Sequence, residues 1–177
     1  MAQPKGVWEI NRATRGTLLA LDICGFSKDP KLQTLLRHRN NLFFAVNEAP
    51  HVGELVEAKQ VKIQFVGDEL RFGFLASIDE CGEKIVEFVE ETLKALSKTE
   101  TRIKGAMLAG ELKWRRYRGC DFFDGPLAVM CSDWLSSVNE TQVIANEEFL
   151  DYATGERIPL DVEKVETYSA SGYILKF

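Results

Sequence analysis

The chain has 177 residues, which is enough for one domain with a real core and short for two. Its net charge of −5 and pI near 5.2 argue against a nucleic-acid binder that depends on phosphate contacts. With 45% hydrophobic and 28% charged residues, the composition is that of an ordinary globular protein. No run has the pattern of a signal peptide or the length of a membrane span. We therefore expect a soluble, cytoplasmic protein that binds neither nucleic acid nor a membrane.

The four cysteines give no sign of a metal site. Cys24, Cys81, Cys120 and Cys131 form no C-x-x-C pair, and the chain has only two histidines. This argues against a zinc site, which needs closely spaced sulfur and imidazole ligands. We expect reduced thiols, as in an intracellular protein.

The first strong element is an apolar run that ends in an acid. Met1 to Arg15 is polar and is predicted to be a loop or a loosely attached strand, with Trp8 and Ile10 as possible anchors. Thr17 to Ile23 is apolar except for Asp22, which suits a buried central strand. A carboxylate at the end of such a strand is costly unless it is paired or bound to a metal.

The turn after this strand suits an anion. Cys24-Gly25-Phe26-Ser27 leads toward a helix, and a strand-to-helix turn leaves backbone N–H groups pointing outward, where they suit phosphate oxygens. Asp29-Pro30 is predicted to start the helix, which runs to about Asn47 before Ala49-Pro50 ends it. Its apolar stripe consists of Leu32, Leu35, Leu36, Leu42, Phe43 and Val46. Val52 to Glu57 is read as a connection.

A β-hairpin is predicted from Gln60 to Leu75. Lys62, Gln64 and Val66 alternate with apolar residues, and Gly67-Asp68 is a favoured two-residue turn. Asp68 then lies at the hairpin tip, close to a neighbouring strand end. With Asp22 and the backbone donors it makes a plausible site for Mg²⁺ and a triphosphate. The alternative is that both aspartates are ordinary turn or cap residues.

The second half continues the alternation of helices and strands. Ser77 and Glu80 form a potential capping box for a helix. The buried stripe of that helix is predicted to be Ile85, Phe88, Val89, Leu93 and Leu96. A strand is predicted from Arg102 to Lys113, followed by a basic loop and a short helix from about Leu127 to Val138. The chain then continues with a strand from Thr141 to Ala145 and a closing hairpin of Val162 to Tyr168 with Gly172 to Phe177. The order β-α-β-β-α-β with extra C-terminal strands fits a ferredoxin-like α/β sandwich. We expect residues 1–177 to form one domain, with its core in residues 16–168.

Two motifs together resemble the class III nucleotidyl cyclase catalytic domain. They are D-I-x-G-F-S at Asp22 and F-V-G-D at Asp68. Thr101 to Trp114 resembles the family's strand that ends in a glycine-glutamate pair, and Asp124 to Asn146 resembles its glycine, helix and final strand. The resemblance covers roughly Gly16 to Tyr168, nearly the whole chain.

The resemblance implies a fold, a reaction and a site. In the family, the two aspartates bind two catalytic ions, Mg²⁺ or Mn²⁺, and a nucleoside triphosphate becomes a 3′,5′-cyclic mononucleotide and pyrophosphate. Carried over, Asp22 and Asp68 are metal ligands and the Ile23 backbone supplies a metal-directed carbonyl. Gly25, Phe26 and Ser27 supply phosphate donors. The family also implies a homodimer with active sites at the interface.

The other half of the family's site is changed. The purine-contacting lysine is replaced by Gln64, and the base-selecting aspartate falls on Phe122. The transition-state asparagine and arginine fall on Val129 and Asp133 in a gapless alignment. The triphosphate lysine has no clear match, and Lys164 is the nearest candidate.

A cluster of arginines could replace the lost positive charge. Arg115, Arg116 and Arg118 follow the glycine-glutamate strand, and a transferring phosphoryl group needs such donors. The alternative interpretation is a solvent-exposed basic loop in an acidic protein.

A short cyclase domain with altered base-selecting residues resembles the bacterial pyrimidine cyclases of Pycsar anti-phage systems. This implies that UTP or CTP is the substrate and that the cyclic product activates a downstream effector that binds cyclic nucleotides. Two other functions stay open: an impaired, cyclase-like nucleotide-binding or regulatory domain, and a palm-type dinucleotide synthase.

Overall fold

The structure is a computed structural model that describes residues 8–26, 31–155, 161–167 and 170–177. The predicted helix start at Asp29-Pro30 and the hairpin end at Tyr168 lie outside these residues, as do the side chains of Trp8 and Ile10. The strands are β1 (Trp8–Ile23), β2 (Val61–Val66), β3 (Glu69–Phe74), β4 (Ile103–Tyr117), β5 (Cys120–Asp124), β6 (Val143–Ala145), β7 (Asp161–Glu166) and β8 (Ser171–Lys176). The helices are α1 (Leu32–Glu48), α2 (Val52–Glu57), α3 (Ile78–Ser97), α4 (Pro126–Leu135) and α5 (Glu147–Gly155).

The strands form one sheet in the order β2-β3-β1-β4-β6-β8-β7, and β5 pairs with β4 beside this path. The β2-β3-β1-β4 part is antiparallel throughout and is connected as β-α-β-β-α-β. Strand β6 runs parallel to β4, and the β7–β8 hairpin continues the sheet beyond it. The predicted ferredoxin-like α/β fold with extra C-terminal strands is therefore confirmed.

Strand β1 is central and is buried on both faces. Leu18, Leu19, Ala20 and Leu21 are all 0% exposed, because β3 and β4 flank the strand and helices cover both sides. Leu19 and Leu21 join the core beneath α1, α3 and α5, whereas Leu18 and Ala20 join the core beneath α4. By the same alternation, Asp22 lies on the α4 face of the sheet, at the end of the strand.

Several local predictions differ from the structure. The prediction of a basic loop after Lys113 is wrong, because β4 continues to Tyr117 and pairs there with both β1 and β5. These pairs satisfy the backbone, so the charged run can stay extended while its side chains reach solvent. Helices α2 and α5 were not predicted. Ser77 is the N-cap of α3 as predicted, but its side chain makes no capping hydrogen bond.

The apolar stripe predicted for α1 is only partly buried. Leu42 and Val46 lie in the core, but Leu32 and Leu36 are exposed on the first turns of the helix. None of the helices in the described ranges is long and apolar enough to cross a bilayer.

Candidate active site

Asp22 lies between two charged neighbours at the end of β1. The sheet register places it opposite Glu69 of β3 on one side and opposite Lys104 of β4 on the other. The Lys104 Nζ is 3.5 Å from the Asp22 Oδ2, and the Asp22 side chain is 21% exposed. The carboxylate is therefore half-buried and has one cation beside it.

Asp68 is held next to Asp22 by the backbone. It follows Gly67, whose φ of +64° allows the tight hairpin turn, and the Ile23 N–H donates to the Asp68 carbonyl at 3.4 Å. The hairpin is braced by α1, where the Phe43 and Phe65 ring centroids are 5.0 Å apart. Arg39 of α1 lies over both rings, 5.6 and 5.7 Å from their centroids. The sheet and α1 together fix the position of the hairpin tip relative to β1.

The electrostatics of the pair suit a divalent cation. Burial raises the pKa of Asp22 above its usual value, and the charge of Asp68 raises it further, while Lys104 lowers it only in part. The two carboxylates lie at a half-buried strand end, and Lys104 compensates their negative charge only in part. A bound Mg²⁺ or Mn²⁺ would supply the remaining positive charge. Within the described residues, no group of three or more His, Cys, Asp or Glu side chains is arranged to hold a metal ion.

The turn after β1 offers fewer phosphate donors than its sequence suggests. The Cys24 N–H already donates to the Arg102 carbonyl at 2.9 Å. Gly25 adopts a φ of +74°, and a Cβ placed on it would meet no atom within 4 Å, so its backbone is open to a ligand. The Phe26 side chain packs against the core beneath α1, and Ser27 lies outside the described residues. The Ile23 carbonyl stays a predicted metal ligand.

Gln64 lies on the α4 face of the sheet, because it pairs with Arg71, which in turn lies opposite Ala20 of the α4-side core. Phe122 alternates with the α4-side core residue Phe123 along β5 and so lies on the opposite face. The Gln64 Oε1 accepts the Phe123 backbone N–H at 3.0 Å, which joins β2 to β5. Because an N–H can only donate, this contact fixes which way the amide points. The two amide N–H groups of Gln64 find no acceptor among the described residues and are left as donors.

The three arginines lie on the β4–β5 hairpin, far from Asp22 in the same chain. Arg115 and Lys104 are on one strand, separated by roughly 35 Å at about 3.3 Å per residue. Arg115 pairs with Asp124, its Nε lying 2.7 Å from Oδ2, and this hydrogen bond holds the pKa of that carboxyl below its usual value. Arg116 reaches the Gly119 carbonyl at 3.5 Å, and the guanidinium of Arg118 lies 5.3 Å from the Tyr117 ring centroid.

The remaining predicted residues are exposed. Val129 and Asp133 lie one turn apart on α4, with Val129 at 62%. Lys164 is exposed on β7, and three strands lie between β7 and β1. One chain therefore brings together Asp22 and Asp68 and links Gln64 to β5, whereas the arginines and Lys164 lie on other parts of the sheet.

Two charged groups of the site were missed in the sequence. Lys104 was hidden in a strand whose polar and apolar residues alternate, although its place opposite the end of β1 could have been found from that alternation. Arg71 is only 8% exposed, donates to both Glu69 oxygens at 2.5 and 3.1 Å, and donates to the Ser132 hydroxyl of α4 at 2.9 Å. A second ion pair, Arg71–Glu69, therefore lies beside Asp22, and after burial and Asp68 the charge of Glu69 also raises the pKa of Asp22.

No protein-family model and no curated protein matches the sequence. Solved structures do match. The dimeric guanylyl cyclase domain of the RhoGC fusion protein from the aquatic fungus Blastocladiella emersonii matches with a TM-score of 0.73 and 10% identity, covering 93% of this chain and 96% of that chain. The chain has the fold of the class III nucleotidyl cyclase catalytic domain.

Two further structures with this fold extend the comparison. The adenylyl cyclase CyaB from P. aeruginosa matches with a TM-score of 0.67 and 11% identity, over 96% of this chain and 97% of that chain. The guanylate cyclase domain of RhGC from Catenaria anguillulae, solved in complex with GTP, matches with a TM-score of 0.71 and 10% identity, over 93% and 98%. At these identities the class III cyclase fold is what is shared.

The raised pKa of Asp22 predicts a stability effect that is independent of activity. In metal-free protein the ionised Asp22 carboxylate lowers the free energy of unfolding. This destabilisation is absent below the usual aspartate pKa of 3.8 and grows as the pH rises toward the raised pKa of Asp22 in the folded protein. Asp22→Asn should therefore be more stable than the wild type toward urea at pH 7 in EDTA. The difference should shrink as the pH falls toward 4.

Added Mg²⁺ or Mn²⁺ should stabilise the wild type and leave Asp22→Asn unchanged. Glu83→Gln, which removes an exposed acid from α3, is the matched control and should respond to metal as the wild type does. A less stable Asp22→Asn at pH 7 in EDTA would mean that the Lys104 ion pair outweighs burial and like-charge repulsion.

Proposed function

We propose that this protein is a nucleotidyl cyclase that converts a pyrimidine nucleoside triphosphate, UTP or CTP, to a 3′,5′-cyclic mononucleotide and pyrophosphate. The observation that carries the proposal is the pairing of Asp22 with Asp68 at the end of the central strand. Burial and the like charge of Asp68 raise the pKa of Asp22 in a fold whose solved examples include adenylyl and guanylyl cyclases. A structure with this fold holds GTP.

Asp22 and Asp68 would hold Mg²⁺ or Mn²⁺. Two divalent ions at such a pair supply the positive charge that lowers the pKa of an attacking hydroxyl and neutralises the leaving phosphate. The chain itself orients the two carboxylates through the sheet register and the Ile23–Asp68 hydrogen bond, 3.4 Å long. This preorganisation means that little rearrangement is needed when substrate binds.

Lys104 would provide a fixed cation beside the phosphates. Its ammonium is 3.5 Å from Asp22 in the metal-free protein. A cation bound at Asp22 competes with Lys104 for the same carboxylate, so the ammonium becomes available to an anionic phosphate oxygen. The open backbone at Gly25, next to the end of β1, adds neutral donors on the same side.

The fixed amide of Gln64 favours a keto base. Its oxygen is occupied by the Phe123 N–H, so the group left for a ligand is a donor. Uracil presents an acceptor oxygen at C4, whereas cytosine presents an amino donor there. Within the pyrimidines, this supports UTP as the preferred substrate and cyclic UMP as the product.

A homodimer with shared active sites explains the scattered residues. In one chain the arginine hairpin is roughly 35 Å along β4 from Asp22. The hairpin residue Val66 is 40% exposed on the face that carries Asp22, and Val129 of α4 is also exposed, so apolar surface is available on the site face. We propose that a second copy packs there and brings its Gln64, Phe122, Arg116 and Arg118 to the first copy's aspartates. A guanylyl cyclase domain with this fold has been solved both as a non-canonical dimer and as a monomer.

In this proposal the cyclic nucleotide is a signal in anti-phage defence, read by an effector protein. A second candidate function is nucleotide binding without turnover. It is favoured by Val129 and Asp133, which occupy exposed positions where the cyclase family carries an asparagine and an arginine. Product analysis distinguishes the two.

The first prediction concerns the reaction. Incubation with each of the four nucleoside triphosphates and Mn²⁺ should yield a 3′,5′-cyclic mononucleotide and pyrophosphate by mass spectrometry, with UTP the best substrate. Asp22→Ala and Asp68→Ala should each lower the rate by at least about 100-fold, because losing a metal ligand removes stabilisation of both attacking and leaving oxygens. Glu83→Gln should keep the wild-type rate.

Three results would contradict this reading. Tight binding of a non-cyclisable triphosphate, together with no product from the four natural triphosphates, would favour a nucleotide-binding module. A dinucleotide product would favour a palm-type synthase. Folded aspartate variants with the wild-type rate would remove the metal assignment.

The second prediction concerns the base. Gln64→Glu keeps an oxygen for the Phe123 N–H but replaces the outward donor with an acceptor. The ratio of kcat/KM for UTP to that for CTP should fall by at least about tenfold, because discrimination comes from paired and unpaired polar groups in the pocket. Lys62→Gln alters the same face of β2 two residues earlier and should leave the ratio unchanged. An unchanged ratio in Gln64→Glu would remove Gln64 from the base pocket.

The third prediction concerns the dimer. Asp22→Ala and the double variant Arg116→Ala/Arg118→Ala should each be inactive alone, while a mixed dimer has one site with both lesions and one with neither. Mixing should restore up to about half of the per-site activity in mixed dimers. Arg115 is left unchanged because it pairs with Asp124. A mixture that stays inactive after confirmed subunit exchange, or a fully active monomer by light scattering, would contradict shared sites.

A further inference from the structure

A large open cavity of the described structure lies away from the aspartates. It has a volume of about 670 Å³ and lies between the C-terminal half of α3 and the ends of β4 and β8. This volume is within the roughly 300–1,000 Å³ of pockets that bind small molecules. Neither Asp22 nor Asp68 lines it, so it is distinct from the proposed catalytic site.

The floor of the cavity is apolar. It is formed by Leu93, Leu96, Ile103, Ile174, Leu175 and Phe177. Leu96, Ile103 and Leu175 are 1–3% exposed and belong to the core, so this surface is rigid. A ligand that covers such a floor needs an apolar body.

The cavity wall carries two acids, Glu90 and Glu163, and three cations, among which Arg102 differs in its contacts. Its Nη1 donates to the Thr99 and Thr101 carbonyls at 2.8 and 3.1 Å, which fixes the guanidinium in place. Among the described residues, no carboxylate forms an ion pair with it. The other two cations of the wall have such partners: Lys94 lies 2.9 Å from Glu91, and Lys176 lies 3.8 Å from Glu163.

We propose that this cavity binds a small organic anion with an apolar body, such as a medium-chain or aromatic carboxylate. The carboxylate pairs with the remaining N–H groups of Arg102, and the apolar body covers the floor. Such charge-assisted contacts are strong because guanidinium and carboxylate geometries match. The site is connected to the strand end of the catalytic half, since the Arg102 carbonyl accepts the Cys24 N–H and Lys104 follows two residues later.

Decanoate and decanol are suitable probes because they share an apolar chain and differ in charge. Titration of isotope-labelled full chain, below the micelle concentration, should give saturable decanoate shifts in amide resonances. These shifts should cluster in the second half of α3, at residues 102–103 and in β8. Decanol should bind at least about tenfold more weakly, because it lacks the charge that pairs with Arg102.

Three variants separate the contributions. Arg102→Gln should weaken decanoate about tenfold and remove the preference over decanol. Lys98→Gln, which removes an exposed charge that does not line the cavity, should change neither. Leu93→Trp, which fills the floor without touching Arg102, should abolish binding of both probes.

The proposal is overturned if decanol binds as tightly as decanoate to the wild type. This comparison does not depend on whether any variant folds. The proposal is also overturned if the shifts lie elsewhere, if neither probe binds at millimolar concentration, or if Leu93→Trp binds normally. None of these readouts depends on nucleotide turnover, so the result stands whether or not the protein is a cyclase.

Discussion

The structure depends on one costly placement: a carboxylate at the end of a strand that is otherwise fully buried. Leu18 to Leu21 are 0% exposed, and Asp22 follows directly after them. Burial and the charge of Asp68 both act against the ionised form, and the single ion pair with Lys104 offsets only part of this. We propose that a shared divalent cation relieves both charges at once.

The rest of the fold positions this pair. The antiparallel register of β1 with β3 and β4 places Glu69 and Lys104 on either side of Asp22. The hairpin turn at Gly67 brings Asp68 back to the end of β1, and α1 braces the hairpin through Phe43 and Phe65. Arg71 pairs with Glu69 beneath α4, and the negative charges of Asp68 and Glu69 both act on the half-buried Asp22 carboxylate.

Local patterns in the sequence were sufficient to predict the central strand, the hairpin and the approach of Asp22 to Asp68, because each is marked by apolar runs and turn residues. Lys104 could have been placed opposite the end of β1 from the alternation of its strand. Arg71 could not be assigned in this way, because its partner Ser132 is distant in the chain. The β4–β5 hairpin was misread as a loop for a related reason. Its charged residues look unstructured until pairing with β1 is known. The roles of the arginines and of Lys164 stay predictions, because they require a second chain.

The central claim is that Asp22 and Asp68 share divalent metal in the presence of nucleotide. Crystals grown with Mn²⁺ and a non-cyclisable UTP analogue, measured at the manganese absorption edge, test it most directly. The account predicts anomalous density between the two carboxylates, next to the triphosphate, with the uracil ring at Gln64 of a second copy. Manganese bound elsewhere, or nucleotide bound with no anomalous density at these aspartates, would contradict it.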